Sequence, residues 1–152
     1  VKLLLIGGGA LEGGLRSLAK KLGVADRVIF LGERPAYQLL AYYHACDFFV
    51  LPSITSNEAF GIVQMEAMAC AKPVINTLLP TGVPEVSLHK KTGLTVRPNQ
   101  SHELADAMTL LISDEALRRR LGAEGLKRVR EVYDQAVVFP KIERIYRESV
   151  LS

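Results

Sequence analysis

The sequence has no apolar run approaching the roughly 20 residues that a bilayer-spanning helix needs. It also lacks the charged start and long apolar stretch of a secretory signal peptide, because Val1 already opens a strand-like segment. Cysteine is scarce: Cys46 and Cys70 stand in apolar segments without metal-type spacing, and the three histidines do not cluster with them. We therefore expect a cytoplasmic protein with reduced thiols and no metal site.

The chain carries little net charge for its length, since 19 Lys and Arg against 16 Asp and Glu give +3 over 152 residues. After Ser113, nine basic and seven acidic residues interleave along helical sequence, which is typical of a solvated amphipathic face. Basic residues elsewhere are scattered and do not alternate with aromatic ones. These patterns predict no nucleic-acid partner, although the basic tail could touch an anionic membrane at its inner face.

Short apolar runs alternate with amphipathic stretches along the chain. The predicted strands cover residues 1–6, 28–31, 47–51, 74–75 and 93–96. The predicted helices cover residues 11–22, 35–45, 60–70, 101–112, 115–132 and 136–150, with Ser101 and Ser113 as caps. In the first helix, Leu11, Leu15, Leu18 and Leu22 share one face. This alternation predicts an α/β fold: a Rossmann-like three-layer sandwich with one mainly parallel sheet of about five strands.

Ligands of such sheets bind beyond the carboxyl ends of the strands, which here are the loops 7–9, 32–36, 53–62 and 76–85. The first loop, Gly7-Gly8-Gly9, invites comparison with the dinucleotide-binding fingerprint. Its last glycine is missing, because Glu12 stands at that position and would repel a pyrophosphate. The loop therefore favours a tight turn. No Walker sequence is present either, so hydride transfer and phosphoryl transfer both lack their motif.

The segment from Glu58 to Glu66 combines two kinds of hydrogen-bonding group. A carboxylate accepts from vicinal hydroxyls such as those of a ribose or hexose, and the amides of Phe60, Gly61 and Ile62 form a helix N-terminus suited to an anion. No Lys or Arg occurs in residues 36–70, so a diphosphate here would need cations from elsewhere. The alternative is that Glu58 caps the helix and Glu66 is an exposed helix residue.

Residues 58–69, EAFGIVQMEAMA, resemble the E-x7-E signature of family 4 retaining glycosyltransferases, which belong to group 1. Other motifs follow in the order of that family. They are VIFLG at 28–32, ACD at 45–47, LPS at 51–53, KPVI at 72–75, GVPEV at 82–86, TGLTV at 92–96 and the tail from LLISD at 110–114 to Ile145-Tyr146. The resemblance covers essentially the whole chain.

The resemblance implies a role for each residue of this segment. The residue matching Glu66 binds the ribose hydroxyls of a nucleotide-sugar donor, and the one matching Glu58 contacts the transferred sugar as the catalytic position. The amides from Ala59 through Phe60, Gly61 and Ile62 meet sugar and phosphate. The loop Glu33, Arg34 and Pro35 faces the nucleobase. Two small departures from the family pattern are Ala59 and Thr81, where glycine is common.

In that family an arginine and a lysine that hold the diphosphate precede this region, and an acceptor-binding domain precedes them. The resemblance therefore implies that residues 1–152 are the donor-binding domain, the C-terminal half of a GT-B enzyme. We expect the first strand, loop and helix of that domain, and the N-terminal acceptor domain, to be absent from this chain. Alone, the chain is expected to be inactive.

The expected reaction is transfer of a hexose from a GDP- or UDP-sugar to an acceptor hydroxyl with retention. Its acceptor would be a saccharide or lipid-linked molecule of the bacterial envelope, and neither a cofactor nor a metal is required. One alternative is a non-catalytic nucleotide-sugar-binding module that kept the fold. The other is a nucleotide-sugar epimerase of GT-B architecture, which would not need the two glutamates at this spacing.

Overall fold

The computed structural model describes residues 1–150, in which strands and helices alternate as predicted. The strands are β1 (Leu3–Ile6), β2 (Val28–Gly32), β3 (Phe49–Leu51), β4 (Val74–Thr77) and β5 (Gly93–Val96). The helices are α1 (Glu12–Lys21), α2 (Ala36–Ala45), α3 (Ile62–Ala69), α4 (Val83–Val86), α5 (Ser101–Ser113), α6 (Glu115–Arg128) and α7 (Gln135–Val150). A 3-10 turn, Ala25–Arg27, precedes β2, and a π-helical turn, Val129–Tyr133, joins α6 to α7.

The chain forms two compact units, and the first runs from Val1 to Leu40. Its strands β1 and β2 pair in parallel, with Leu3 opposite Val28. The four leucines predicted to share a face of the first helix are between 43% and 77% exposed, and Ala19 is the buried residue of α1. Periodicity indicates which residues share a face of a helix, but it carries no information about whether that face is buried.

The second unit begins at Ala41 and contains a parallel sheet of order β3-β4-β5. Successive residues of β4 point to opposite faces of this sheet. Val74 packs with Ala67 and Met68 of α3, whereas Ile75 packs with two leucines from α5 and α6, Leu111 and Leu121. Helices therefore cover both faces of the sheet, and this unit is the three-layer sandwich that the sequence predicts.

The structure differs from the prediction in the number of sheets and in the helix caps. Instead of one sheet, the described residues form a two-stranded and a three-stranded sheet, because apolar runs identify strands without specifying which strands pair. The predicted caps also differ, since Gln100 precedes α5 without a side-chain cap and Asp114 caps α6 by accepting from the Leu117 N–H at 2.8 Å. Ser113 instead donates to the carbonyl of Leu110.

None of the helices in residues 1–150 combines the length and apolar character that crossing a membrane requires. The helix α4 was not predicted. It is a single turn with Pro84 near its start, where the missing N–H of proline costs nothing.

Candidate functional site

The loop between β3 and α3 places the first glutamate at the start of a helix. Glu58 is half-buried, and its Oε1 accepts a hydrogen bond from the Gly61 N–H at 3.0 Å. Gly61 adopts φ 69° and ψ 60°, a left-handed conformation that favours glycine. A Cβ atom there would lie 2.6 Å from Cδ2 of Leu51 and 2.7 Å from Nε2 of Gln64. The turn therefore requires glycine and holds the Glu58 carboxylate beside the helix N-terminus.

The helix itself begins at Ile62, two residues later than predicted. Among residues 1–150, no acceptor is found for the N–H groups of Phe60 and Ile62, whereas the N–H of Gly61 is taken by Glu58. These two N–H groups stand at the positive end of the helix dipole, and their residues are 37% and 66% exposed. This end of α3 can therefore accept a negatively charged group from solvent.

The second glutamate lies one helical turn into α3. Glu66 is exposed, and its Oε2 accepts a hydrogen bond of 2.7 Å from the hydroxyl of Tyr43 on α2. Burial, followed by the hydrogen bond to Glu66, raises the pKa of the Tyr43 hydroxyl well above its ordinary value. Tyr43 therefore remains a donor at neutral and mildly alkaline pH. The structure gives Glu66 a fixed partner that the sequence did not indicate.

A second loop braces the segment that carries Glu58. The N–H of Gly82 donates to the carbonyl of Ala59 at 2.9 Å, and a Cβ atom at Gly82 would collide with the ring of Phe60. The Phe60 ring also meets the ring of Tyr133 edge-on, with centroids 6.1 Å apart. Two of the predicted ligand-binding loops, 53–62 and 76–85, are thus joined at the carboxyl end of the sheet.

Two buried amide side chains connect these loops to the sheet. Nε2 of Gln64 donates to the carbonyls of Phe60 and Val83, both at 3.2 Å, and its Oε1 accepts from Nδ2 of Asn76 at 2.9 Å. Both amides are at most 1% exposed. Neither was singled out from the sequence, although a polar amide within an apolar helix or strand is a usable signal, because a buried amide needs partners.

The last residue of α6, Arg128, and the last residue of the π-helical turn, Tyr133, hold the loop 76–85 from a second direction in sequence. The Arg128 guanidinium donates to the carbonyls of Glu85 and Val86 at 2.7 and 3.0 Å, and it lies over the Tyr133 ring. Lys72 in turn donates to the carbonyl of His44 at 2.9 Å. The cationic side chains of Arg128 and Lys72 are therefore both hydrogen-bonded to backbone carbonyls. Within residues 1–150, no group of three or more His, Cys, Asp or Glu side chains could hold a metal ion.

The remaining predicted residues, Glu33, Arg34 and Pro35, lie in the first unit between β2 and α2, and all three are exposed. The Gly7 N–H donates to the carbonyl of Gly32 at 2.9 Å, which brings the loops 7–9 and 32–36 together at the carboxyl end of β1 and β2. The predicted tight turn between strand and helix begins at Gly9, whose carbonyl accepts from the Glu12 N–H at 3.2 Å, and Gly7 and Gly9 adopt φ 123° and φ 151°.

Comparison with known proteins assigns the family. A model of the family described as glycosyl transferases group 1 matches residues 1–128. The D-inositol 3-phosphate glycosyltransferase of Corynebacterium glutamicum is 35% identical over 135 residues, which cover 89% of this chain and 31% of that protein.

Solved structures of related proteins share the fold. Sucrose-phosphate synthase from Thermosynechococcus elongatus is similar with a TM-score of 0.89 at 32% identity, covering 99% of this chain and 39% of that one. Anabaena HepE in complex with UDP-glucose gives 0.85 at 28% identity, covering 97% and 41%. This chain thus spans less than half the length of each of the three proteins. The similarity confirms the predicted α/β fold of GT-B type, and the chain belongs to the glycosyl transferases group 1 family.

Proposed function

We propose that this chain is the donor-binding part of a family 4 retaining glycosyltransferase, which transfers a hexose from a nucleoside-diphosphate sugar to an acceptor hydroxyl. The observation that carries the proposal is the arrangement around the start of α3. Two glutamates flank a glycine-dependent turn whose N–H groups at Phe60 and Ile62 are without acceptors among residues 1–150. The relatives named as glycosyltransferases, and a structural neighbour described with UDP-glucose, support this reading.

Each residue has a distinct role in the proposed reaction. Glu66 accepts hydrogen bonds from the ribose hydroxyls, because a carboxylate offers acceptors on both oxygens. Glu58 uses Oε1 for the Gly61 N–H, which leaves Oε2 for the transferred sugar. The N–H groups of Phe60 and Ile62, with the helix dipole behind them, offset the negative charge that develops on the leaving diphosphate.

The other predicted residues have the roles that the resemblance to the family implies. Ala59 and Gly61 supply backbone at the sugar and phosphate, and the exposed loop of Glu33, Arg34 and Pro35 faces the nucleobase. No cofactor or metal is required.

We further propose that the acceptor site and the cations for the diphosphate belong to polypeptide outside this chain. Two observations support this. The chain covers 31% of the curated relative, and residues 36–70, which contain both glutamates, include no Lys or Arg. The acceptor would be a saccharide or lipid-linked molecule, and the enzyme would act in the cytoplasm, in peripheral contact with the inner face of the membrane.

The proposal is tested by binding and turnover in the full-length protein. UDP- and GDP-sugars are titrated by calorimetry against the wild type, Glu58→Gln and Glu66→Ala. Glu124→Gln, a half-buried glutamate on α6, is the matched control. We expect Glu66→Ala to weaken binding at least tenfold and Glu58→Gln to lower turnover more than affinity, about a hundredfold in kcat. Equal affinities for wild type and Glu66→Ala would contradict the proposal.

Two further outcomes would identify the alternatives. Nucleotide-sugar binding by the full-length protein without transfer to any acceptor would indicate a non-catalytic binding module. Interconversion of the donor sugar in the absence of an acceptor would indicate an epimerase. The isolated chain is expected to bind nucleotide weakly and to transfer no sugar, so measurable transfer by the chain alone would contradict the assignment of the acceptor site to another domain.

A further inference from the structure

The Tyr43 side chain on α2 packs through its ring and donates a hydrogen bond through its hydroxyl. The ring meets the ring of Phe49 on β3 edge-on, with centroids 5.7 Å apart and planes at 65°. It also packs against the buried cluster formed by Ala67, Met68, Val74 and Val86. The hydroxyl reaches out of this apolar environment to Oε2 of Glu66 at 2.7 Å. A rigid donor thus fixes a carboxylate that is otherwise exposed to solvent.

Such a donor matters because Glu66 has a long, flexible side chain on the outer surface of a helix. An unrestrained glutamate loses its rotamer freedom when it binds a ligand, and that loss weakens binding. The hydrogen bond from the Tyr43 hydroxyl already restricts the Glu66 side chain in the free protein, so less rotamer freedom is lost when a ligand binds. A carboxylate has about four lone-pair positions, and the tyrosine occupies one of them, so acceptors remain for two further hydroxyls.

We propose that Tyr43 is a positioning residue for ribose recognition: its hydroxyl holds Oε2 of Glu66 so that the carboxylate presents its free lone pairs to the vicinal diol of the donor nucleotide. This inference rests on the proposed function, which assigns the ribose to Glu66. Tyr43 itself does not touch the ligand in this scheme and acts through Glu66 alone.

The chemical state of Tyr43 suits this task. Desolvation by its apolar surroundings is the largest cause of the rise in the pKa of its hydroxyl, and the hydrogen bond to Glu66 adds to it. The side chain therefore keeps its proton and donates throughout the neutral range. A purely structural tie between α2 and α3 would use the same hydrogen bond, so the test must depend on the ribose.

The test compares Tyr43→Phe with Tyr42→Phe in the full-length protein. Phenylalanine keeps the ring at position 43 and removes the donor, and Tyr42 is the matched control on the same helix, half-buried and without a side-chain hydrogen bond in the described structure. Calorimetry gives Kd for UDP and 2′,3′-dideoxy-UDP, and for the guanosine pair. Glu66→Ala and the double variant Tyr43→Phe/Glu66→Ala complete a cycle, and Tm is recorded for every variant.

We expect Tyr43→Phe to weaken ribonucleotide binding about three- to tenfold, because binding must then order one flexible glutamate side chain. Dideoxynucleotide binding should weaken less than about twofold, since that ligand does not use the Glu66 carboxylate. Tyr42→Phe should change neither Kd. In the Glu66→Ala background the additional change at position 43 should have no effect on either nucleotide, because the residue through which Tyr43 acts is gone.

Several results would overturn the inference, and they separate it from the proposed function. Tyr43 is not a positioning residue if Tyr43→Phe weakens the binding of ribonucleotide and dideoxynucleotide equally. The same conclusion follows if Tyr43→Phe binds like the wild type while Glu66→Ala loses ribonucleotide binding, and in that case the role of Glu66 stands. If Glu66→Ala leaves the preference for ribonucleotide unchanged, or the wild type binds neither UDP nor GDP, the proposed function fails and the inference fails with it.

Discussion

Replacement of Gly61 by alanine perturbs the turn between the two glutamates at its tightest point. The residue sits at φ 69°, where an L-residue with a Cβ atom costs about 1–2 kcal/mol. The new Cβ would also lie 2.6 Å from Cδ2 of Leu51 and 2.7 Å from Nε2 of Gln64, and the Gln64 amide is held by three hydrogen bonds. Forcing an extra carbon into packed surroundings costs about 1–3 kcal/mol. We therefore expect the free energy of unfolding to fall by about 2–5 kcal/mol.

Urea denaturation followed by circular dichroism measures this loss. Gly13→Ala is the control for the exchange itself, since a Cβ at Gly13 on α1 meets nothing within 4 Å, and alanine in a helix should stabilise by about 0.5–1 kcal/mol. Gly61→Ala should also weaken nucleotide-sugar binding under conditions where the variant is folded, because the Glu58 carboxylate loses its bond to a displaced N–H. A loss of stability below about 1 kcal/mol would refute the reasoning from the backbone conformation and the two short contacts.

Three other changes test separate parts of the structure. Gln64→Leu should lower the free energy of unfolding by about 2–4 kcal/mol, because the buried carbonyls and the Asn76 amide lose their hydrogen-bond partner. Gln135→Leu on the surface is the control, and a loss below about 1 kcal/mol for Gln64→Leu would contradict the role of these hydrogen bonds. Burial and the hydrogen bond to Glu66 raise the pKa of the Tyr43 hydroxyl, so the protonated side chain stabilises the fold fully below pH 10. Above pH 10 the free energy of unfolding falls by at most about 1.4 kcal/mol per pH unit, and by less because the side chain is partly exposed. Tyr43→Phe should therefore flatten the alkaline limb of a stability profile. Glu103 on α5 accepts hydrogen bonds from the side chain and the backbone N–H of Arg97, and these bonds lower the pKa of its carboxyl. The stability that this contact contributes is therefore present above pH 4.5 and lost on acidification, and Glu103→Gln should flatten the acid limb of the profile. An unchanged limb in either profile would contradict the corresponding contact.

The local elements of this fold follow from the sequence because their causes are local. The predicted strands 28–31 and 93–96 agree with β2 and β5 to within one residue, since short apolar runs bounded by glycine have few other conformations available. The pairing of the strands is different in kind, because it depends on residues distant in sequence. For that reason the division into two sheets and the exposure of the four leucines in residues 11–22 could not be predicted.

The residues of the candidate site also fall into those that the local sequence could predict and those that it could not. Glu58 and Glu66 could be predicted as candidates because their spacing and the intervening glycine lie within one short segment. Tyr43 lies 23 residues before its partner Glu66, and nothing in the local sequence links them. Gln64 was visible as an amide in an apolar helix, but its three partners come from three different segments. Spacing within one segment is therefore informative, whereas support between segments requires the fold.

The two interpretations of Glu58 that the sequence left open are compatible in the structure. One carboxylate oxygen accepts from the Gly61 N–H, as a capping residue would, and this bond fixes the direction of the second oxygen. Gly82 and Gln64 also hold this loop, by donating hydrogen bonds to the carbonyls of Ala59 and Phe60. Hydrogen-bonding groups held in this way need no reorganisation when charge develops on a bound ligand, and that preorganisation is the main electrostatic advantage of an enzyme site over water. The capping bond is thus the physical means by which Glu58 can serve a ligand, because a carboxylate without it would have to be ordered at the expense of binding.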